Sequence, residues 1–158
     1  MKGYINGPFN LKLANAGPGR IEVFINDGIK YDVKKINNAY NNRSSEPMNV
    51  NDLLEATTKK KGEPWGKHNI KDVISIYMKT KGKEEEWSKL NLDDKMKRHL
   101  QRTRDADLSY PIMLLESGQI VDGNHRLAKA IVSGLSEINV IPLTWEDIKK
   151  FQLKKKEK

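Results

Sequence analysis

The chain has 158 residues and no cysteine, so disulfides, thiolate zinc centres and thiol catalysis are excluded together. Its 29 basic residues against 21 acidic ones give a net charge of +8, which favours anionic partners, nucleotides and nucleic acids alike. A hydrophobic fraction of 37% suffices for one core, and no apolar run approaches a membrane span or a signal-peptide core, so a soluble, intracellular (cytoplasmic) protein without a membrane partner is expected.

Ile5 to Leu13 reads as an edge strand interrupted by Gly7-Pro8, and Gly17-Pro18-Gly19 as a loop. Ile21-Glu22-Val23-Phe24-Ile25 alternates apolar with charged positions, Asn26-Asp27-Gly28 signals a turn, and Ile29 to Val33 alternates again, which predicts a hairpin. Ile36 to Arg43 is polar and Asn-rich and reads as a connection, with Ser44 to Pro47 a loop or helix boundary. Residues 1–45 are thus expected to form an N-terminal hairpin region of the same domain as the rest.

Val50 to Ala56 begins a short helix with Asn51 as the candidate cap; Lys59-Lys60-Lys61 and the Gly62 to Gly66 stretch, with Pro64 and Trp65, break it. Ile70, Val73, Ile74 and Tyr77 recur at helical spacing behind Asn69, predicting a helix that ends near Gly82. After the charged Glu84-Glu85-Glu86-Trp87 segment, Asp93 to Thr103 predicts another helix. Met96 and Leu100 face inward there, and Lys95, Lys97, Arg98, Arg102 and Arg104 leave a basic surface that Asp93, Asp94, Asp105 and Asp107 partly neutralise. His68, His99 and His125 are scattered without metal-ligand spacing, so no metal site is expected among them.

The chemistry concentrates between Tyr110 and Leu143. Ile112 to Leu115 is an apolar strand, Ser117-Gly118 a turn, and Gln119-Ile120-Val121 a second strand. Asp122 is placed to cap a following helix, in which Leu127, Ala128, Ile131 and Leu135 share a face and which Gly134 ends. Ile138, Val140 and Ile141 form a third strand stopped by Pro142. A helix N-terminus offers unpaired N–H groups and the positive end of the dipole, so Gly123, Asn124, His125 and Arg126 make a candidate phosphate-binding turn. Gly123 lets a ligand approach the backbone, Arg126 brings a fork of donors, and His125 brings a donor or proton carrier. Glu116 and Asp122 join His125 as candidate catalytic groups, either as a base or by holding magnesium through phosphate.

The run Val121-Asp122-Gly123-Asn124-His125-Arg126-Leu127-Ala128-Lys129-Ala130, with Ala106 to Ile112 before it, resembles the ParB/sulfiredoxin superfamily, in which a strand leads through a Gly-x-His-Arg or Gly-Glu-Arg-Arg turn into a helix. The resemblance covers about 45 residues and implies a small α+β domain, a mixed β-sheet with several short helices, over 46–148, followed by a basic tail at 149–158. It also implies that the turn binds phosphates of ATP or a related nucleotide, with magnesium bridging them. Sulfiredoxins carry a catalytic cysteine where this chain has Asn124, so that activity is excluded. His125-Arg126 replaces the Glu-Arg-Arg pattern of the partition CTPases, and the 15 residues after Leu143 are too few for their DNA-binding and dimerisation domains. The expectation is a ParB-like nucleotide-binding protein, a nucleotide-dependent phosphotransferase or hydrolase. The alternative is a DNA- or RNA-binding protein with nuclease activity.

Overall fold

The computed structural model describes residues 22–58 and 69–154 and shows a mixed α+β fold. The early edge strand, the Gly17-Pro18-Gly19 loop, His68, and the Lys59 to Lys61 and Gly62 to Gly66 stretches lie outside the described residues.

Strands β1 (Val23–Asn26) and β2 (Ile29–Asp32) form the predicted hairpin as a separate two-stranded sheet. Its two-residue turn places both Asp27 (φ 52°) and Gly28 (φ 78°) in left-handed backbone, the geometry whose twist matches antiparallel strands. The expected connection after it is instead helix α1 (Val33–Tyr40). Asp32 ends the strand and caps the helix by accepting from the Lys35 N–H at 3.1 Å. Val33 and Ile36 are buried and Tyr40 packs beside them, one stripe of an otherwise polar helix.

The Glu46-Pro47 stretch is likewise not a loop. Glu46–Asn49 is β3, an exposed edge strand antiparallel to β6 (Glu137–Leu143). Helix α2 (Val50–Thr58) follows directly, and its cap is Asn49 rather than Asn51, since the Asn49 side chain accepts from the N–H groups of Asn51 and Asp52 at 2.9 and 3.0 Å. Helix α3 (Ile70–Thr80) starts at Asn69 as predicted and ends with Lys81 and Gly82 in left-handed backbone. The short α4 (Glu84–Trp87) and α5 (Asp94–Asp105, capped by Asp93) follow, with Trp87, Met96 and Leu100 packed on Val73.

Strands β4 (Ile112–Leu115) and β5 (Ile120–Asp122) make an antiparallel hairpin, helix α6 (Asn124–Val132) crosses over, and β6 returns parallel to β4. The strand order is β3-β6-β4-β5. Both faces of this sheet are covered, which explains its unbroken apolar runs. Ile112, Ile120, Ile138 and Val140 meet α2, α3 and α6 on one face. Met113, Leu115, Val121, Ile141 and Leu143 meet the β1–β2 hairpin, α1 and Ile148 on the other.

Pro142 does not stop β6, which runs on to Leu143. The Leu143 carbonyl accepts from the Glu116 N–H on the β4 side, so Pro142 presents its missing N–H to the opposite side, where β3 has already ended. Helix α6 closes at Val132 with Gly134 left-handed behind it, and Leu135, placed on the inner face by its spacing, is exposed because it lies beyond the last turn. Helix α7 (Trp145–Lys149) follows, after which the chain turns back to pair with β2 through Phe151 and Leu153. Residues 151–153 therefore lie against the hairpin, while Lys154 is exposed.

Candidate functional site

Strand β5 and helix α6 are separated by Gly123 alone. It is the N-cap residue at φ 115° and ψ 19°, and no side chain caps the helix. Asp122 is therefore not the cap. It remains in the strand, 3% exposed, where its carboxylate accepts from the Asn37 amide at 2.9 Å and lies 3.0 Å from the Arg126 guanidinium. The first intrahelical bond runs from the Leu127 N–H to the Gly123 carbonyl, so the N–H groups of Asn124, His125 and Arg126 have no acceptor within the helix.

Glycine is required here by the protein's own packing. A Cβ on Gly123 would stand 2.9 Å from Ile112 Cγ1 and 3.2 Å from Arg126 Nη2, and its backbone angle is one that L side chains rarely adopt. Arg126 folds back beneath the turn and is 9% exposed. Its Nη1 donates to the Pro111 carbonyl at 3.0 Å; its Nη2 reaches Asp122 at 3.0 Å without the alignment of a hydrogen bond. Burial pulls its pKa down to about 10, against the opposing pull of Glu22, Asp107 and Tyr110, so it stays charged at neutral pH. Arg126 is a fixed positive charge under the turn more than a fork held out to solvent. The Asn124 Oδ1 is buried and accepts no hydrogen bond among the described residues.

His125 is joined by His99 of α5, 26 positions away in the chain. Nδ1 of His99 and Nε2 of His125 lie 3.0 Å apart, with the ring centroids 5.2 Å apart and the ring planes inclined by 26°. Burial first, then the charges of His99, Arg102 and Arg126, hold the His125 pKa well below the ordinary histidine value, so it is neutral at pH 7. Lys129 holds the two helices in this relation: its ammonium donates to the carbonyls of Arg104 and Ala106, both at 2.7 Å, closing the C-terminal end of α5 from a position on α6.

Glu116 is not part of the constellation. It stands in the β4–β5 turn, and its carboxylate accepts from the Trp145 N–H at 2.7 Å at the start of α7. Met113 pairs with Asp122, so Glu116 is three residues farther along β4, about 10 Å from the α6 N-terminus. The fold thus brings Asp122, Gly123, Asn124, His125 and Arg126 together, adds His99 and Asn37, and leaves Glu116 outside. The one sequence hint at His99 is its place on α5 among Lys95, Arg98 and Arg102, positions that share a helical stripe.

Among the described residues no three His, Asp or Glu side chains converge as metal ligands, and no helix is long and apolar enough to cross a membrane. No family model, curated protein or solved structure matches the chain.

Proposed function

We propose that the chain binds a phosphate group of ATP or a related nucleotide at the N-terminus of α6, as a ParB/sulfiredoxin-like protein acting as a nucleotide-dependent phosphotransferase or hydrolase. The observation that carries this reading is the uncapped helix start behind a left-handed glycine, with a buried, charged guanidinium beneath it. A donor set of backbone N–H groups backed by a fixed positive charge suits phosphate oxygens, and the likeness of Val121 to Ala130 to the superfamily's phosphate turn supports the nucleotide.

In this reading the N–H groups of Asn124, His125 and Arg126 hold phosphate oxygens, and Arg126 acts through its charge from below. His125, neutral at pH 7, holds or moves a proton beside the phosphate. Asp122 orients Arg126 and is not a base. A bound nucleotide, with magnesium held through its phosphates, would supply the transferable phosphoryl group. The resemblance gives no acceptor for it.

The test is isothermal titration of wild type and Asn124→Asp with ATP, ADP and CTP, with and without magnesium. Asp at the first helical position repels an anion, so nucleotide affinity should fall about tenfold or more in a variant whose folding is checked by its melting curve. No binding of any nucleotide to wild type would overturn the reading. One observation favours nucleic acid as the alternative ligand. Lys95, Arg98 and Arg102 line the α5 stripe that carries His99 beside the turn, spaced to follow a phosphate backbone. Affinity for a DNA or RNA oligonucleotide that falls steeply with added salt, with none for mononucleotides, would select that alternative.

A further inference from the structure

Two histidines 26 positions apart in sequence meet at 3.0 Å at the mouth of the α6 turn, and a contact that short between ring nitrogens has a chemical consequence. One nitrogen must donate and the other accept, so the two facing nitrogens share a single hydrogen. The protonation states of the two rings are therefore coupled. We infer that His99 and His125 form a proton-coupled half of the anion site, taking up a proton when a phosphate dianion docks at the start of α6. The inference rests on the phosphate reading above and adds His99 to it as a positioning residue.

The surroundings give the coupling its sign. Burial first, then the positive charges of His99, of Arg102 on α5 and of Arg126 on α6, makes His125 resist protonation in the free protein. Asp122 on β5, 3.0 Å from the Arg126 guanidinium, offsets that charge directly, and Glu22 and Asp107 add to the offset. On α2, Asp52 and Glu55 are exposed; on α3, Lys71, Asp72 and Lys79 are exposed, and Tyr77 is turned toward Arg104 and Asp105. An arriving dianion reverses that balance and raises the pair's pKa, and by linkage its affinity must rise as pH falls between the free and bound values, up to tenfold per pH unit. The same positive surroundings argue against a metal cation bridging the two rings.

A phosphate monoester itself titrates at pH ~6, so the probe is sulfate, which stays a dianion over the same range. Ring nitrogens of the wild-type protein are followed by NMR against pH, alone and with sulfate, and sulfate affinity is measured at each pH for wild type and His99→Asn. The Asn amide can take the place of Nδ1 as a donor but cannot titrate. The expected result has three parts: the two rings titrate together, sulfate raises their midpoint, and sulfate affinity depends less on pH in H99N, where His125 alone titrates. Wild-type binding that does not vary with pH, or rings that titrate independently, would overturn the coupling and leave the phosphate reading intact. Absence of any sulfate binding, with the rings still titrating together, would overturn both. If H99N does not fold, the wild-type titrations decide alone.

Discussion

Removing the negative charge beneath the turn, by Asp122→Asn, should destabilise the protein by about 3 kcal/mol. At the observed 3.0 Å separation between Asp122 and Arg126, two unit charges in an effective dielectric of ~20 attract by about 5 kcal/mol. An asparagine dipole recovers part of that, and the Pro111 carbonyl remains as a partner for Nη1. What is left is a guanidinium 9% exposed with no counter-charge in contact, the situation in which breaking a buried pair typically costs ~3–5 kcal/mol. Urea denaturation reads this directly: with a slope of ~2 kcal/mol per molar for a chain of this size, the midpoint should fall by about 1.5 M. The double variant Asp122→Asn/Arg126→Met should recover much of the loss, because the stranded charge is gone. A D122N midpoint within ~0.3 M of wild type would refute the claim that Arg126 is latched inward by that carboxylate.

Gly123→Ala combines a strained backbone angle with a Cβ 2.9 Å from Ile112 Cγ1, and should cost about 2–4 kcal/mol by the same urea assay. Glu116→Gln should leave nucleotide or sulfate affinity unchanged in titration calorimetry, with a stability loss below ~1 kcal/mol from a weakened bond to the Trp145 N–H. The Arg43 fork grips Asp147 at 2.7 and 2.8 Å and holds its pKa down to about 2, below the ~3.9 of an unfolded chain. That contribution is fully present above pH ~4 and is lost as pH falls toward 2, so Arg43→Ala should flatten the acid limb of stability against pH. Its cost at pH 7, screened by solvent at a guanidinium 41% exposed, should be about 0.5–1 kcal/mol.

Where local rules act alone, the sequence was readable. Asp27-Gly28 demanded its turn, Asn69 and Asp93 capped the helices expected of them, and the apolar runs at 112–115 and 138–141 became strands of a covered sheet. Helix α1 escaped notice because two buried residues and one tyrosine are a faint stripe among lysines and asparagines. Strand β3 has no alternation at all and is a strand only because β6 pairs with it. At the site, the turn from Gly123 to Arg126 could be located from its residues. The directions of its side chains could not: an aspartate before a helix has the pattern of a cap, yet the Asp122 carboxylate is buried and turned to Asn37 and Arg126. His99 was invisible for a related reason, since nothing in its neighbourhood along the chain encodes a partner 26 positions later.

The most direct measurement follows the backbone amides of the wild-type protein by NMR as ADP is added. The largest shifts should fall on Asn124, His125 and Arg126, the first-turn N–H groups that have no acceptor within the helix. Unmoved amides at these three positions, with shifts absent or gathered along Lys95, Arg98 and Arg102, would contradict a phosphate site at the start of α6.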